Sequence, residues 1–272
     1  MKLTVIGAGA WGTAIAVQAA RHLPDHAVCL WTKSTSQAQV LRQHKENLSH
    51  LPGIALSSAV EISDNFEQAI RRLDPEDLVV IATPISGLAA SVRRIAELAT
   101  YPLQIVWLCK GLEPKTTLLP HQLVARELQA HGRNIPHTYG SLTGPSFAGE
   151  MALGLPCALT IASASNSLCT SVQNAFHHDN VRIYASEDLI GVELGGAVKN
   201  VIAIAAGIGD GLGLGLNARA ALLTRGLAEM MRLVKAAGGQ PETCMGLTGV
   251  GDLILTATGD LSRNRRVGLL LA

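Results

Sequence analysis

Short apolar runs alternate with helical periods over roughly the first two thirds of the chain, and helical periods alone fill the remainder. Residues 2–6 (KLTVI) read as a β-branched strand, followed by a helical stretch over 13–23. The pattern repeats with strands over 27–31, 78–82, 104–108, 138–143, 158–162 and 181–184. Helices are expected between them over 34–47, 85–98, 117–130 and 168–177, with a turn at 51–53. The strand over 78–82 is continuous in apolar residues, as strands buried on both faces of a parallel sheet are. Such alternation predicts a doubly wound, parallel α/β sheet.

After about residue 186 the period changes. The stretch 191–209 (GVELGGAVKNVIAIAAGIG) is a long apolar helix in which Val192, Val198, Val201, Ile202, Ile204 and Ala205 can be buried. A glycine-rich link over 210–217 follows, with Asn217 as an N-cap, then helices over 218–237 and 242–258 and one beginning at Ser262. The expected organisation is therefore a Rossmann-type α/β domain over 1–185 and an all-α domain over 186–272. The last helix has no stop signal, so the chain is expected to continue past residue 272 in the native protein.

The first strand runs straight into Gly7-Ala8-Gly9-Ala10-Trp11-Gly12, a G-x-G-x-x-G turn that opens a helix. In that setting the first glycine makes the tight turn and the second lets the backbone reach a pyrophosphate. The third lets helix and strand pack closely. Free N–H groups and the helix dipole then favour phosphate. The cofactor expected is a nicotinamide dinucleotide. At the end of the second strand, where an NAD enzyme commonly has a carboxylate for the ribose 2′-OH, this chain has Thr32-Lys33-Ser34. Lys33 would attract a 2′-phosphate, which leans the reading to NADPH with NADH possible; a solvated loop lysine is the alternative. Lys110 follows the strand over 104–108, at a sheet edge that faces ligand in open α/β folds. It is placed to meet a cofactor or an anionic substrate, or else caps the strand at the surface.

Composition narrows the field further. A net charge of +1 argues against nucleic acid as a main partner, and few aromatics argue against base stacking. No uninterrupted apolar run reaches 18 residues, so no membrane span is expected, nor is a secretory signal. The five cysteines are scattered without a C-x-x-C pair, which suits a reducing cytoplasm and neither disulfides nor zinc. His177-His178 have no further ligand spaced around them and read as a helix end.

Within the helical part, Lys199 and Asn200 interrupt an apolar helix; the lysine either snorkels to the surface or has a partner and a task. Asp252 sits in an apolar setting, GVGDLIL, one helical turn from Thr256, and a Lys199–Asp252 pair would satisfy both charges. Ser262-Arg263-Asn264-Arg265-Arg266 at a helix start suits phosphate, with mere solvation as the alternative for Arg265 and Arg266.

The segments GAGAWGTAIA, CKGLE, GPSFAGE, GVELGGAVKNVIAIAAGIGDG and GVGDLILTATGDLSRNRR occur in this order over essentially the whole chain. Together they resemble the bacterial NAD(P)-dependent glycerol-3-phosphate dehydrogenases. The resemblance implies reversible reduction of dihydroxyacetone phosphate to sn-glycerol 3-phosphate for phospholipid synthesis. It implies that Lys199 is the acid and base and that Lys110 and burial lower its proton affinity. Asp252 would hold the ammonium, and Asn200 and Thr256 would orient the lysine or the substrate. Gly144 and Ser146 match the family's substrate loop and Ala148 a cofactor contact. Ser262, Arg263 and Asn264 match its phosphate grip, with Arg263 also near the nicotinamide. Trp11 and Lys33 match cofactor positions. The chain departs from the family in having Lys33-Ser34 where Arg-Asn or Arg-Asp is common, and a lysine offers a point charge and no planar fork. The family also takes cofactor contacts from beyond this chain's last residue. A 3-hydroxyacid or 6-phosphogluconate-type dehydrogenase shares the two-domain plan and is the nearest rival. A redox-sensing protein that binds NAD(P)H without chemistry is a second, and it would not need Lys199. A homodimer is possible on the apolar helices.

Overall fold

The expected first strand forms over Leu3–Ile6 (β1) in a computed structural model that describes residues 1–25, 27–178 and 180–272. It leads through the glycine turn into α1 (Ala10–Ala19), then β2 (Val28–Trp31), α2 (Thr35–His44), β3 (Glu46–Asn47), β4 (Leu51–Ala55), β5 (Glu61–Ser63) and α3 (Phe66–Arg71). There follow β6 (Leu78–Ile81), α4 (Ile85–Leu98), β7 (Gln104–Trp107), α5 (Pro120–His131), β8 (Thr138–Thr143), α6 (Ala148–Leu153), β9 (Cys157–Ala162), α7 (Asn166–Phe176) and β10 (Val181–Ser186). Beyond Ser186 the described residues form helices and turns: α8 (Leu189–Gly211), α9 (Gly215–Ala236), α10 (Asp252–Thr258) and α11 (Arg263–Leu271).

The main sheet has the order β10-β9-β8-β7-β6-β1-β2-β5. Every residue of β1, β2, β6 and β7 is buried, which explains why these strands are almost wholly apolar, with only Thr4 and Gln104 polar. Alternate side chains serve opposite faces: Leu3 and Val5 pack with α1 and α7, while Ile6, Val79 and Ile81 pack with α3, α4 and α5. The chain leaves β1 to one side for β2 and to the other for β6, so the carboxyl ends of β1 and β6 flank a topological switch point, where open α/β sheets bind ligands. Lys110 and Gly144, just past β7 and β8, lie along the same edge.

Several elements differ from the sequence reading. The sheet is not wholly parallel, because β9 runs antiparallel to β8. The chain between them carries α6, which packs on α1 and is held by Arg21, just past that helix, whose Nη2 donates to the Ala152 carbonyl at 2.6 Å. Residues 51–53 are not a turn but begin β4, which pairs with β3 at an edge where Pro52 and Gly53 are exposed and tolerated. The preceding helix stops at His44 because Lys45 caps it in the left-handed conformation (φ 50°). β5 and α3, three and six residues long, are too short to show a period and went unread. α1 begins inside the glycine fingerprint, and α5 begins at Pro120, which suits a first helical position.

In the helical part, α8 extends to Gly211 and the link to α9 shrinks to Leu212–Leu214. Asn217 therefore lies inside the first turn of α9 and is not its cap. The single helix expected over 242–258 is a 3-10 turn (Pro241–Met245), a π turn (Leu247–Gly251) and α10. Glycine permits the tight path: a Cβ on Gly249 would sit 2.0 Å from the Cys244 carbonyl oxygen. Val201 is 68% exposed and takes no part in the core, while Leu194, Ile202, Ala203 and Ala206 of α8 pack on Met230, Val234, Leu253 and Ala257. By length and composition alone α8 could cross a membrane; it is instead the helix on which α9, α10 and α11 pack. α8 and α11 touch backbone to backbone, since a Cβ on Gly207 would lie 2.1 Å from the Arg265 oxygen and one on Gly268 would lie 2.1 Å from the Ile204 oxygen.

Candidate active site

The glycine turn has the shape a dinucleotide needs. Gly7 takes φ +115°, and a Cβ on Gly12 would lie 1.9 Å from the Gly7 oxygen, so strand and helix meet as only glycine allows. A Cβ on Gly9 would meet nothing within 4 Å, so that side of the turn is open for a pyrophosphate to approach. α1 starts there with no side-chain cap and no acidic residue in its first turn, leaving N–H groups for an anion. Ala10 and Trp11 are its first two residues and are half-buried against the core. Two residues the sequence reading missed brace this turn. Gln37 Nε2 and Asn47 Nδ2 both donate to the Ala8 carbonyl, at 2.8 and 2.9 Å. Neither carries a local signal, because both arrive from elements distant in sequence.

At the end of β2, Thr32 is buried and bonded to Gln37, and Lys33 is exposed. A cavity of about 350 Å³ opens beside it, lined by Ser34, Ser36, Gln37, Asn47, Ser49 and His50 among others, with no carboxylate in its wall.

Where α8 faces α10, Lys199 is 6% exposed and does not snorkel. Its ammonium donates to Asp252 Oδ1 at 2.9 Å and to Thr256 Oγ1 at 2.7 Å. Asp252 is 2% exposed, and its other oxygen accepts from Lys110 Nζ. Lys110 also donates to the Gly144 carbonyl at 3.2 Å, as does the Ser146 hydroxyl at 3.2 Å. One carboxylate thus serves two ammonium groups that come from the two parts of the fold. Burial, and then the neighbouring Lys110 charge, push the Lys199 amine down to about 8, against the opposing pull of Asp252. A lysine so placed can both donate and accept a proton near neutral pH. Cys109 is no rival nucleophile, since burial pushes its thiol up to about 12.

At the next residue of α8, Asn200 Oδ1 accepts from Asn264 Nδ2 at 2.6 Å, tying α8 to the start of α11. Ser262 is the N-cap of α11; its oxygen accepts from the Arg265 N–H at 3.2 Å. Arg263, the first residue of α11, is exposed and makes no ion pair among the described residues. Arg265 is neither solvated nor available to phosphate: it pairs with Asp210 at 2.8 Å and Asp260 at 3.1 Å. Ala148 opens α6 and is half-buried against the core cluster that also contains α1. Among the described residues no three His, Cys, Asp or Glu side chains gather to hold a metal ion.

Comparison with known proteins agrees with this architecture. Residues 2–169 match the model of the NAD-dependent glycerol-3-phosphate dehydrogenase N-terminus and residues 188–272 that of its C-terminus. The chain is 64% identical, over all of its length and 80% of the relative's, to glycerol-3-phosphate dehydrogenase [NAD(P)+] of Polynucleobacter necessarius. It is 58% identical to the protein of that name from Cupriavidus necator, again over 100% of the chain and 80% of the relative. Among solved structures, glycerol-3-phosphate dehydrogenase from Coxiella burnetii superposes with a TM-score of 0.90 at 38% identity, over 99% of this chain and 79% of that one.

Proposed function

The chain belongs to the NAD-dependent glycerol-3-phosphate dehydrogenase family, an NAD(P)-dependent oxidoreductase family, and from that premise we propose that Lys199 is the proton donor and acceptor of its reaction. The bound nicotinamide supplies or takes up the hydride at the substrate's central carbon. In reduction of dihydroxyacetone phosphate the Lys199 ammonium gives its proton to the C2 oxygen, and the amine is reprotonated from water. In oxidation the neutral amine takes the proton from the C2 hydroxyl of glycerol 3-phosphate. Asp252 and Thr256 hold the amine in place, and Asn200 and Asn264 fix the neighbouring helix start. Lys110, Gly144 and Ser146 border the same space, where a second cation favours an anionic substrate. The exposed guanidinium of Arg263 and the start of α11, capped by Ser262, supply donors for the phosphate. On the cofactor side, Gly7, Gly9, Ala10, Trp11 and Gly12 take the pyrophosphate, with Ala148 and Lys110 toward the nicotinamide. The observation that carries this reading is a buried lysine bonded to Asp252 and Thr256 and shifted toward neutral pH.

Steady-state turnover of dihydroxyacetone phosphate, with NADH and NADPH in parallel and a 3-hydroxyacid as control, tests the activity. Because Lys199 must be protonated for reduction, kcat for reduction should fall as pH rises through about 8, and kcat for oxidation should rise through the same region. Profiles flat across that window would remove Lys199 from proton transfer. Arg263→Ala should raise KM for dihydroxyacetone phosphate by roughly 10- to 100-fold, the worth of a charged hydrogen bond, and barely affect an unphosphorylated analogue. An equal loss for both would place the phosphate elsewhere.

We propose a preference for NADPH over NADH, supported by the exposed Lys33 and the absence of a carboxylate in the adjoining cavity wall. Lys33→Glu should then raise KM for NADPH about tenfold or more and leave KM for NADH nearly unchanged; parallel losses would exclude a 2′-phosphate contact. A cytoplasmic location and a homodimer complete the reading. The five free cysteines suit a reducing compartment, and the exposed Leu212, Leu214 and Leu216 at the α8–α9 turn offer apolar surface to a second copy.

A further inference from the structure

Glu193 lies on α8, six residues before Lys199, and is 4% exposed. Its Oε1 accepts from Trp107 Nε1 at 3.1 Å and from the His121 backbone N–H at 2.9 Å, and its Oε2 lies 2.5 Å from His121 Nδ1. Trp107 ends β7, three residues before Lys110, and His121 lies in the first turn of α5. One buried carboxylate therefore ties the lysine-bearing helix to the strand that delivers the second lysine. Apolar contacts alone would hold α8 against the sheet but would let it slide. A set of directional bonds, each costly to leave unmade in the interior, fixes its register. The register matters because the stem of Lys110 lies across α8 at Gly196, where a Cβ would sit 3.5 Å from Lys110 Cγ.

We propose that Glu193 is a positioning residue for the reaction: through Trp107 and His121 it sets α8 against β7 and so fixes the spacing of Lys199 and Lys110. The inference rests on the reading of Lys199 as proton donor and acceptor. Lys199 is faced by Lys110 and Asp252, and Glu193 by His121 and the Cys109 thiol. Of the two groups facing Lys199, Lys110 lowers its proton affinity and Asp252 raises it. A loosened α8 weakens both burial and the Lys110 repulsion, so the amine moves back up toward an ordinary lysine.

The test is the pH profile of kcat for dihydroxyacetone phosphate reduction in wild type, Glu193→Gln and Glu193→Ala. Glutamine keeps an oxygen for Trp107 and the His121 N–H, and its amide can donate to a neutral His121 ring. Glu193→Gln should keep the wild-type limb. Glu193→Ala should move it to higher pH by about one unit and lower kcat at neutral pH by roughly 10- to 100-fold. Loss of the carboxylate's charge alone would act oppositely, moving the limb to lower pH in both variants, and that result would overturn the proposal. So would an unmoved limb in Glu193→Ala. Where Glu193→Ala does not fold, Trp107→Phe, which removes one donor and keeps an aromatic ring, should move the limb in the same direction; no movement counts against the proposal. A wild-type profile without a limb near this region removes the Lys199 reading and this inference with it, whereas a wild-type limb that ignores Glu193→Ala removes this inference alone.

Discussion

Lys199→Ala is expected to lower kcat in both directions by about 10²- to 10⁴-fold, the usual worth of a positioned general acid or base. The affinity for NADPH, measured by fluorescence titration, should change little, since the glycine turn and α1 make no bond to Lys199. The fold should survive, because removal of the ammonium leaves Asp252 with Lys110 and Thr256 with the Asp252 carbonyl, which its hydroxyl reaches at 2.7 Å. Lys199→Arg separates two roles. A guanidinium keeps the positive charge but does not release its proton near neutral pH. If Lys199 acts by proton transfer, Arg should be nearly as slow as Ala; if it acts as a fixed charge, Arg should recover much of the rate. Turnover of Lys199→Ala within a few-fold of wild type would end the proposal.

Asp252→Ala should be the most damaging change to stability at this site as well as to activity. It leaves two ammonium groups, Lys199 and Lys110, facing each other in a largely buried cleft without their shared counter-charge. Removing one partner of a buried pair costs about 3–5 kcal/mol, because the remaining charge is left uncompensated. Since Asp252 raises the proton affinity of Lys199, its loss pushes the amine further below its already lowered value of about 8. The reduction limb should therefore move to lower pH, and kcat at neutral pH should fall. The stability deficit has a defined sign with pH. Between the lowered folded value and the ordinary lysine value near 10.4, the unfolded chain binds more protons than the folded one, so stability rises with pH across that window. Wild type shares that rise only above about 8, so the difference in denaturant midpoint between Asp252→Ala and wild type should narrow as pH rises toward about 8 and stay level above it. A deficit that widens over that range would show that Asp252 is not the counter-charge of a strained lysine.

Much of this was legible in the sequence where a requirement is local. The glycine turn is written in six consecutive residues because a tight, positive-φ backbone beside a phosphate admits little else. The central strands announced themselves because burial on both faces removes polar alternation. The short β5 and α3 were illegible for the converse reason: three strand residues and six helix residues do not repeat their period twice. The glycines of the 242–258 stretch carried information too, but only the packed structure shows that they serve a π turn that delivers Asp252.

What the sequence determined by itself was therefore the α/β-then-helix plan, the dinucleotide turn, and a lysine set in an apolar helix that demanded a partner. What only the tertiary structure decided was which groups meet. Asp252 lies 53 residues from Lys199 and 142 from Lys110, yet bonds both. Arg265 is committed to Asp210 while Arg263 makes no ion pair among the described residues, although only Asn264 separates the two. Glu193 looks like an ordinary helical glutamate until Trp107 and His121 close around it. Backbone preferences act over a few neighbouring residues and can be read along the chain. The proton affinity of a buried amine depends on burial and on charges brought close by the packing of whole layers, and that distance information has no local trace.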